Sequence, residues 1–153
     1  MSDEFLYFAY GSNLWREQMG ERCPEHREIG NGLLRGYRWI ITARGYANVV
    51  MSPSEVVHGT VYRISAADEE KLDRYEGVPQ GAYRKEILRV EVDGRSFDCL
   101  VYIDPVEEEG EPREEYAERL SKGIADAQLP AAYIERYLRR YLYAKRGAGS
   151  RPS

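Results

Sequence analysis

The stretch FLYFAYGSNLWREQM, residues 5–19, sets the start of the fold. Its first six residues are apolar or aromatic and barely alternate with polar ones, which is typical of a strand buried on both faces. A glycine and two small polar residues follow this run, and a short helical segment comes next. The stretch therefore predicts a buried strand over residues 5–10, a turn at Gly-Ser-Asn and a helix directly after the turn.

The Gly-Ser-Asn turn has two interpretations. Glycine lets a ligand approach the main chain, and Ser12 or Asn13 can cap the helix that follows. Free backbone N–H groups and the positive end of the helix would then bind a carboxylate or a developing oxyanion. The alternative is an ordinary strand–turn–helix junction with a polar cap, and the residues alone leave both interpretations open.

Composition excludes several classes of protein. The chain has 153 residues, of which 42% are hydrophobic and 31% charged, as in one globular domain. A net charge of -4 gives no electrostatic argument for nucleic acid, and no apolar run approaches the ~20 residues of a membrane span. The acidic first residues do not resemble a secretion signal, so we expect a cytoplasmic protein in which Cys23 and Cys99 are reduced. Neither these cysteines nor His26 and His58 have the spacing of metal ligands, and we expect no metal.

The next part of the chain reads as β-rich and then helical. Short β-rich pieces, separated by breaks that contain glycine or proline, lie at residues 32–34, 37–42, 47–51 and 56–64. Ser65 and Asp68 match a capping box, which begins a helix. We expect that helix to end at Glu76, because Gly77 supplies a C-terminal stop.

A hairpin and two helices are predicted in the second half. Asp93-Gly94 favours a two-residue turn between strands at residues 83–92 and 95–103. Leu129-Pro130 divides two predicted helices, at residues 113–127 and 131–144. Strands come first and helices late, which is typical of an α+β domain with a mostly antiparallel or mixed sheet.

The domain is expected to span residues 1–145. Residues 146–153 are rich in glycine, serine and arginine, and this composition predicts a disordered tail. The late helices and the 13 tyrosines of the chain would also suit the interface of a homodimer.

Glu76 is the carboxylate whose position suggests chemistry. It follows Leu72 by four residues and so continues the apolar stripe that Leu72 and Tyr75 form on the predicted helix. Partial burial and the negative end of the helix dipole would both raise its pKa and prepare it to carry a proton near neutral pH. The alternative is a structural role, in which Glu76 caps the helix or pairs with an arginine such as Arg84.

Two motifs resemble signatures of the γ-glutamylcyclotransferase family. FLYFAYGSNL, residues 5–14, is similar to the family's loop, and YEGV, residues 75–78, followed by GAY, is similar to its catalytic glutamate segment. The hairpin strands and then PREEY, residues 112–116, continue the same order, so the resemblance extends from about residue 5 to residue 133. It implies the family's fold, an α+β domain with a small mixed or antiparallel β-barrel-like sheet and flanking helices.

The resemblance implies an enzyme that releases 5-oxoproline from a small γ-glutamyl substrate without a cofactor. In that family the substrate's own α-amine attacks its γ-carbonyl, so the protein supplies no nucleophile. The resemblance assigns Glu76 as the general acid/base that takes a proton from the α-ammonium and gives one to the leaving amine. It also implies eight substrate-binding residues, namely Tyr10, Gly11, Ser12, Asn13, Leu14, Tyr83, Tyr102 and Tyr116.

The leaving group stays open at this stage. Relatives act on γ-glutamyl dipeptides, on γ-glutamylamines or on a γ-glutamyl protecting group in antibiotic biosynthesis. The loop reads Gly-Ser-Asn-Leu where the glutathione-specific branch usually reads Gly-Ser-Leu, so we expect γ-glutamyl amino acids or amines rather than glutathione. The alternative from another class is a non-catalytic small-molecule-binding or interaction domain that retains the fold.

Overall fold

Five strands close into a barrel within residues 4–142, the part of the chain that the structure, a computed structural model, describes. The strands are β1 (Glu4–Ala9), β2 (Arg27–Ile41), β3 (Ala47–Ser65), β4 (Arg84–Val92) and β5 (Arg95–Ile103). Around the barrel their order is β1, β3, β2, β4 and β5. Strand β1 pairs in parallel with β5, and the other pairs are antiparallel. The predicted mixed, barrel-like sheet is therefore confirmed.

Helices flank the barrel at its connections. They are α1 (Arg16–Arg22), α2 (Ala66–Tyr75), α3 (Glu114–Ala127) and the single turn α4 (Ala131–Tyr133), with 3₁₀ turns at Ser12–Leu14 and Val78–Gln80. None of the helices in the described part of the chain is long and apolar enough to cross a membrane.

The structure confirms the predicted capping box, the helix stop at Gly77 and the hairpin turn. The Ser65 Oγ accepts a hydrogen bond from the Asp68 N–H at 3.0 Å, and the Asp68 carboxylate accepts one from the Ser65 N–H at 3.4 Å. Helix α2 then ends, and Gly77 follows with a left-handed φ of 70°. The hairpin turn has a φ of 53° at Asp93 and 78° at Gly94, as a two-residue turn of this kind requires.

The predicted breaks within β2 and β3 are wrong, because both strands run through them. Tyr37 pairs with Met51 and Arg35 with Val56, which leaves residues 52–55 as a bulge opposite Gly36. Gly36 has a φ of 88°, and Pro53 lies in the bulge, where no ladder hydrogen bond is required of it. A glycine and a proline therefore bend this strand pair without ending it.

The predicted continuous helix over residues 131–144 is also wrong in its described part. One turn of α-helix is followed by a π-helical stretch, Ile134–Leu138, and a 3₁₀ turn, Arg139–Tyr141. The buried residues are Tyr133, Leu138 and Tyr141, at spacings of five and then three, and these two spacings match a π turn and a 3₁₀ turn. Residues 143 and 144 and the predicted tail at residues 146–153 lie outside the described residues.

The end of β1 is fixed by close packing inside the barrel. Gly32 and Gly59 face each other on β2 and β3, and the ring of Phe8 lies against both. A Cβ atom added at Gly59 would lie 2.1 Å from the Ala9 carbonyl oxygen and 2.9 Å from the Phe8 ring. The chain can approach this closely only with glycine there. The loop that follows β1 therefore starts from a tightly held strand.

Candidate active site

A cavity of about 260 Å³ lies beside the end of β1. The loop after β1, the start of β3, the segment after α2 and the first turns of α3 line it. Leu14 is absent from its lining, because the Leu14 side chain is buried in the core against Gly123 of α3. The structure brings together the other predicted site residues around the cavity, namely Tyr10, Gly11, Ser12, Asn13, Glu76, Tyr83, Tyr102 and Tyr116.

Glu76 lies at the end of α2, where its partly buried side chain lines the cavity. Burial raises the pKa of Glu76 to about 7, and this rise persists although Arg22, Arg119 and Arg44 act to lower it. Within residues 4–142 the carboxylate forms no hydrogen bond or salt bridge. The carboxylate is therefore free, within the described residues, to exchange a proton with a molecule in the cavity.

Two details around Glu76 differ from expectation. Arg84, suggested as a structural partner, pairs instead with Glu86 at 2.8 Å. Tyr75 was expected on the apolar stripe of α2 with Leu72, but 58% of Tyr75 is exposed, whereas Leu72 is fully buried. The reason is that the guanidinium of Arg22 lies 4.4 Å from the centroid of the Tyr75 ring, which holds the ring at the rim of the cavity.

The loop after β1 presents its main chain to the cavity. Residues 12–14 form a single 3₁₀ turn in which the Leu14 N–H donates to the Gly11 carbonyl at 3.0 Å. The Ser12 N–H donates to the Tyr116 hydroxyl at 3.1 Å. In the described part of the chain the N–H groups of Gly11 and Asn13 have no acceptor, so two donors are available to a ligand, as the sequence suggested.

The polar side chains of this loop do not cap α1, contrary to the prediction. A buried glutamine, Gln18, donates through Nε2 to Ser12 Oγ at 2.8 Å and to Asn13 Oδ1 at 2.9 Å. Asn13 also donates through Nδ2 to the Tyr7 hydroxyl at 2.9 Å. The N–H of Arg16, the first residue of α1, donates instead to the Asp126 carboxylate of α3 at 2.8 Å, and Ser12 and Asn13 hold the loop against the body of the protein.

Gly11 is required by the approach of a tyrosine. A Cβ atom at Gly11 would lie 2.4 Å from the Tyr116 hydroxyl oxygen and 3.0 Å from the Ala47 Cβ. That oxygen accepts hydrogen bonds from the backbone N–H groups of Ser12 and Ala47, both of which act to lower the Tyr116 pKa against the larger effect of burial. The Ser12 side chain also forms a hydrogen bond with this hydroxyl, so Tyr116 is held against the loop through both the main chain and the side chain of Ser12.

The other predicted phenol donors are already engaged. The Tyr10 hydroxyl donates to the Tyr102 carbonyl at 2.5 Å, and the Tyr83 hydroxyl donates to the Ala47 carbonyl at 3.1 Å. The Tyr102 hydroxyl donates to Asp73 Oδ1 at 2.7 Å. Their rings shape the cavity, but their protons are used within the protein.

Known proteins resemble this chain in sequence and in fold. The model of the AIG2-like family matches residues 56–137. Mouse γ-glutamylcyclotransferase is 30% identical over 148 residues, which cover 88% of this chain and 77% of the mouse protein. The chain belongs to the AIG2-like, γ-glutamylcyclotransferase family.

Solved structures of the family agree with the barrel. A γ-glutamyl cyclotransferase structure has a TM-score of 0.80 at 27% identity, covering 87% of this chain and 85% of that chain. A yeast γ-glutamyl cyclotransferase specific to glutathione has a TM-score of 0.59 at 13% identity, covering 94% of this chain and 99% of that chain. The likeness to the yeast protein is one of fold alone.

Three arginines line the cavity that were not predicted from the sequence as site residues. Arg22 ends α1, Arg44 lies in the turn between β2 and β3, and Arg119 belongs to α3. One signal could have found Arg119, since it follows Tyr116 by three residues and so shares a helix face with it. Arg22 and Arg44 have no such local signal.

The charge of the cavity favours an anionic ligand. Its described lining contains three arginines and one carboxylate, Glu76. The Arg44 guanidinium pairs with the buried carboxylate of Asp104, which also accepts a hydrogen bond from the Val106 N–H at 2.8 Å. Arg22 donates to Asn13 Oδ1 at 3.2 Å. Positive charge therefore remains for a ligand after these contacts are counted.

Proposed function

We propose that this protein is a γ-glutamyl cyclotransferase that converts a γ-glutamyl compound into 5-oxoproline and a free amino acid or amine. The observation that carries the proposal is the unpartnered Glu76 carboxylate, whose pKa is raised to about 7 in a cavity lined by arginines and free N–H donors. Membership of the family gives the proposal its reaction class. The reaction is an acyl transfer within the substrate that eliminates an amine, and it needs no external nucleophile.

The first step prepares the attacking amine. The Glu76 carboxylate takes a proton from the substrate's α-ammonium, and the free nitrogen attacks the γ-carbonyl carbon to form the five-membered ring. The carbonyl oxygen then becomes negatively charged. The N–H groups of Gly11 and Asn13 would stabilise this oxygen, because donors fixed in advance need no reorganisation when charge develops.

The second step releases the leaving group. The bond between the γ-carbon and the leaving nitrogen breaks as Glu76 gives its proton to that nitrogen. The ring nitrogen ends with one of its three protons and the leaving amine gains two, so one carboxylate acting in turn relays both. The total charge is unchanged, and no oxidant or reductant is required.

Product analysis tests the proposal directly. The protein is incubated with a panel of γ-glutamyl dipeptides and γ-glutamylamines, and 5-oxoproline is measured by mass spectrometry. We expect 5-oxoproline in an amount equal to the released amine for at least one compound, and the best compound identifies the leaving group. Shifts of protein NMR signals on adding these compounds, without any product, would instead favour the binding-only alternative.

Two tyrosines that line the cavity, Tyr116 and Tyr102, are expected to behave differently. Tyr116→Phe removes the hydroxyl that holds Ser12 and with it the loop whose N–H groups face the substrate, so we expect kcat/KM to fall on the order of 10-fold or more. Tyr102→Phe is the matched control, because its hydroxyl is bonded to Asp73. Its kcat/KM should stay within about threefold, with about 1 kcal/mol less unfolding free energy. Equal losses of activity in both variants would contradict the assignment of Tyr116.

We also infer that the reaction takes place in the cytoplasm. Cys23 and Cys99 are buried free thiols, which is typical of proteins in a reducing compartment. Burial raises the pKa of each thiol to about 12, so both stay protonated and unreactive.

A further inference from the structure

Arg119 is the arginine of the cavity whose hydrogen bonds are least satisfied. Its Nη1 donates to Gln18 Oε1 at 3.2 Å, but its buried Nε–H has no acceptor among residues 4–142. The nearest carboxylate oxygen in that range belongs to Glu115, 3.8 Å from Nη2, on a side chain that is 81% exposed. A guanidinium has five N–H donors, and an unmet donor on a charged group is costly. Arg119 therefore keeps donors and charge for a partner that the described chain does not supply.

The other two arginines differ in this respect. Arg44 is paired with the buried carboxylate of Asp104, so its charge is neutralised within the protein. Arg22 bonds to Asn13 and lies over the ring of Tyr75, so it has a structural role at the rim. The charge most available to a bound molecule is that of Arg119.

Gln18 fixes Arg119 beside the loop that follows β1. Its Oε1 accepts from Arg119, while its Nε2 donates to both Ser12 and Asn13. On the other side, the guanidinium carbon of Arg119 lies 5.7 Å from the centroid of the Tyr116 ring. The orientation of the guanidinium is thus tied to the same residues that hold the loop donors.

We propose that Arg119 binds a carboxylate of the γ-glutamyl substrate and that Gln18 is its positioning residue. This inference rests on the proposed function. A planar guanidinium matches a carboxylate with two parallel hydrogen bonds, which discriminates against a neutral amide. A γ-glutamyl amino acid offers two such groups, the α-carboxylate of the glutamyl half and the carboxylate of the leaving half. Arg119 makes the enzyme selective for whichever of the two it contacts.

The test compares γ-glutamylalanine with its two monoamides, one at the glutamyl α-carboxylate and one at the alanine carboxylate. Native protein, Arg119→Gln and Lys122→Gln are assayed with all three compounds. Lys122→Gln is the matched control, because it removes the same charge from α3 at a residue that lies outside the cavity lining. The assays are run at about pH 9, where Glu76 stays ionised even without the arginine that acts to lower its pKa. With γ-glutamylalanine we expect Arg119→Gln to raise KM on the order of 10- to 100-fold, as expected for a lost charge-assisted pair, with kcat changed little.

The pattern across the amides decides the inference. For one amide, kcat/KM of the native protein should be low, and Arg119→Gln should not lower it further. The carboxylate that is blocked in that amide is the one that Arg119 binds. Arg119→Lys should restore part of the loss, since it keeps the charge without the planar fork. The inference is overturned if Arg119→Gln lowers kcat/KM by one common factor for all three compounds, or behaves like Lys122→Gln.

A second readout separates this inference from the proposed function. If the native protein makes no 5-oxoproline from any γ-glutamyl dipeptide or γ-glutamylamine of the panel, the proposed function fails, and the same three proteins are titrated with γ-glutamylalanine and its amides by calorimetry. The carboxylate contact is supported if Arg119→Gln binds γ-glutamylalanine more weakly than the native protein does, and binds one of the two amides as well as it binds γ-glutamylalanine. Binding that is equal in the native protein and Arg119→Gln overturns it. Gln18→Leu should give the same KM pattern as Arg119→Gln, with a smaller effect.

Discussion

Glu76→Gln is expected to lower kcat/KM for 5-oxoproline release by about 10²-fold or more while the protein stays folded. Glutamine keeps the size and a similar shape of the side chain, but it neither takes a proton from the α-ammonium nor returns one. No other carboxylate of the described chain lines the cavity, so no neighbour replaces it. Product measured by mass spectrometry over a range of substrate concentrations gives the change.

The pH dependence of the native protein should report the same group. With a Glu76 pKa of about 7, kcat/KM should rise with pH up to about 7 and level off above it, since the free enzyme must hold the carboxylate form. Glu76→Gln should lose this limb of the profile. A profile that keeps an inflection near pH 7 in the variant would assign the proton transfer to another group.

Stability should change in the opposite direction from activity. The pKa of Glu76 is higher in the folded protein than its ordinary 4.5, so folding binds a proton between about pH 4.5 and pH 7 and stability falls as pH rises through this range. Above pH 7 the folded protein carries a buried charge that Glu76→Gln removes. We expect the variant to be more stable by about 2 kcal/mol at pH 8 and by little at pH 5.

A second glutamate on α2 provides the control for both effects. Glu70 belongs to the same helix, but its side chain is 75% exposed and lies 3.8 Å from Arg74. Glu70→Gln should leave kcat/KM and its pH profile unchanged, and its difference in stability from the native protein should be the same at pH 5 and at pH 8. Denaturant unfolding at the two pH values measures the difference, and equal behaviour of the two variants would contradict a special environment for Glu76.

The parts of the fold that the sequence predicted are those fixed by neighbouring residues. The hairpin turn at Asp93-Gly94, the capping box from Ser65 to Asp68 and the stop at Gly77 each depend on the chain within a few positions. Glu76 belongs with them, because its place directly after α2 follows from that same stop. The burial of Glu76 could be predicted from its position, but the three arginines near it could not.

The parts that were missed depend on contacts between distant segments. The β2–β3 pair continues through Pro53 because Gly36 on the partner strand accommodates a four-residue bulge, and no local rule relates these two positions. The last helix departs from α geometry because Tyr133 and Leu138 both face the barrel at a spacing of five. The spacing of the buried residues is set by the surface against which the segment packs, and the periodicity of a single segment carries no information about that surface.

The site was missed where its residues come from separate elements. Arg44 and Arg119 are 75 positions apart in the chain, and only the closed barrel with α3 packed beside it brings them to one cavity. Gln18 shows the same limit, since a buried glutamine in a short helix carries no functional signal until its partners are known. The predicted tyrosines line the cavity, but the hydrogen-bond partner of each hydroxyl could not be predicted from the sequence.

Gly11→Ala is expected to reduce kcat/KM on the order of 10²-fold and to lower the unfolding free energy by about 1–3 kcal/mol. The added methyl group would lie 2.4 Å from the Tyr116 hydroxyl oxygen, so Tyr116 or the loop must move. Either movement breaks the hydrogen bond from the Ser12 N–H to Tyr116 and displaces the free N–H donors from the position where the oxyanion forms.

A glycine in the adjacent helix separates this steric effect from a general cost of alanine. Gly20 lies in α1, and a Cβ atom added there would meet its nearest neighbour, His26, at an ordinary 3.8 Å. Gly20→Ala should therefore keep full activity and gain about 0.5–1 kcal/mol of stability through higher helix propensity. Adding Tyr116→Phe to Gly11→Ala removes the clashing oxygen, so the double variant should regain part of the lost stability without regaining activity. Unchanged activity and stability in Gly11→Ala would mean that the loop can adopt another path, and a rigid donor site formed by this loop would then be excluded.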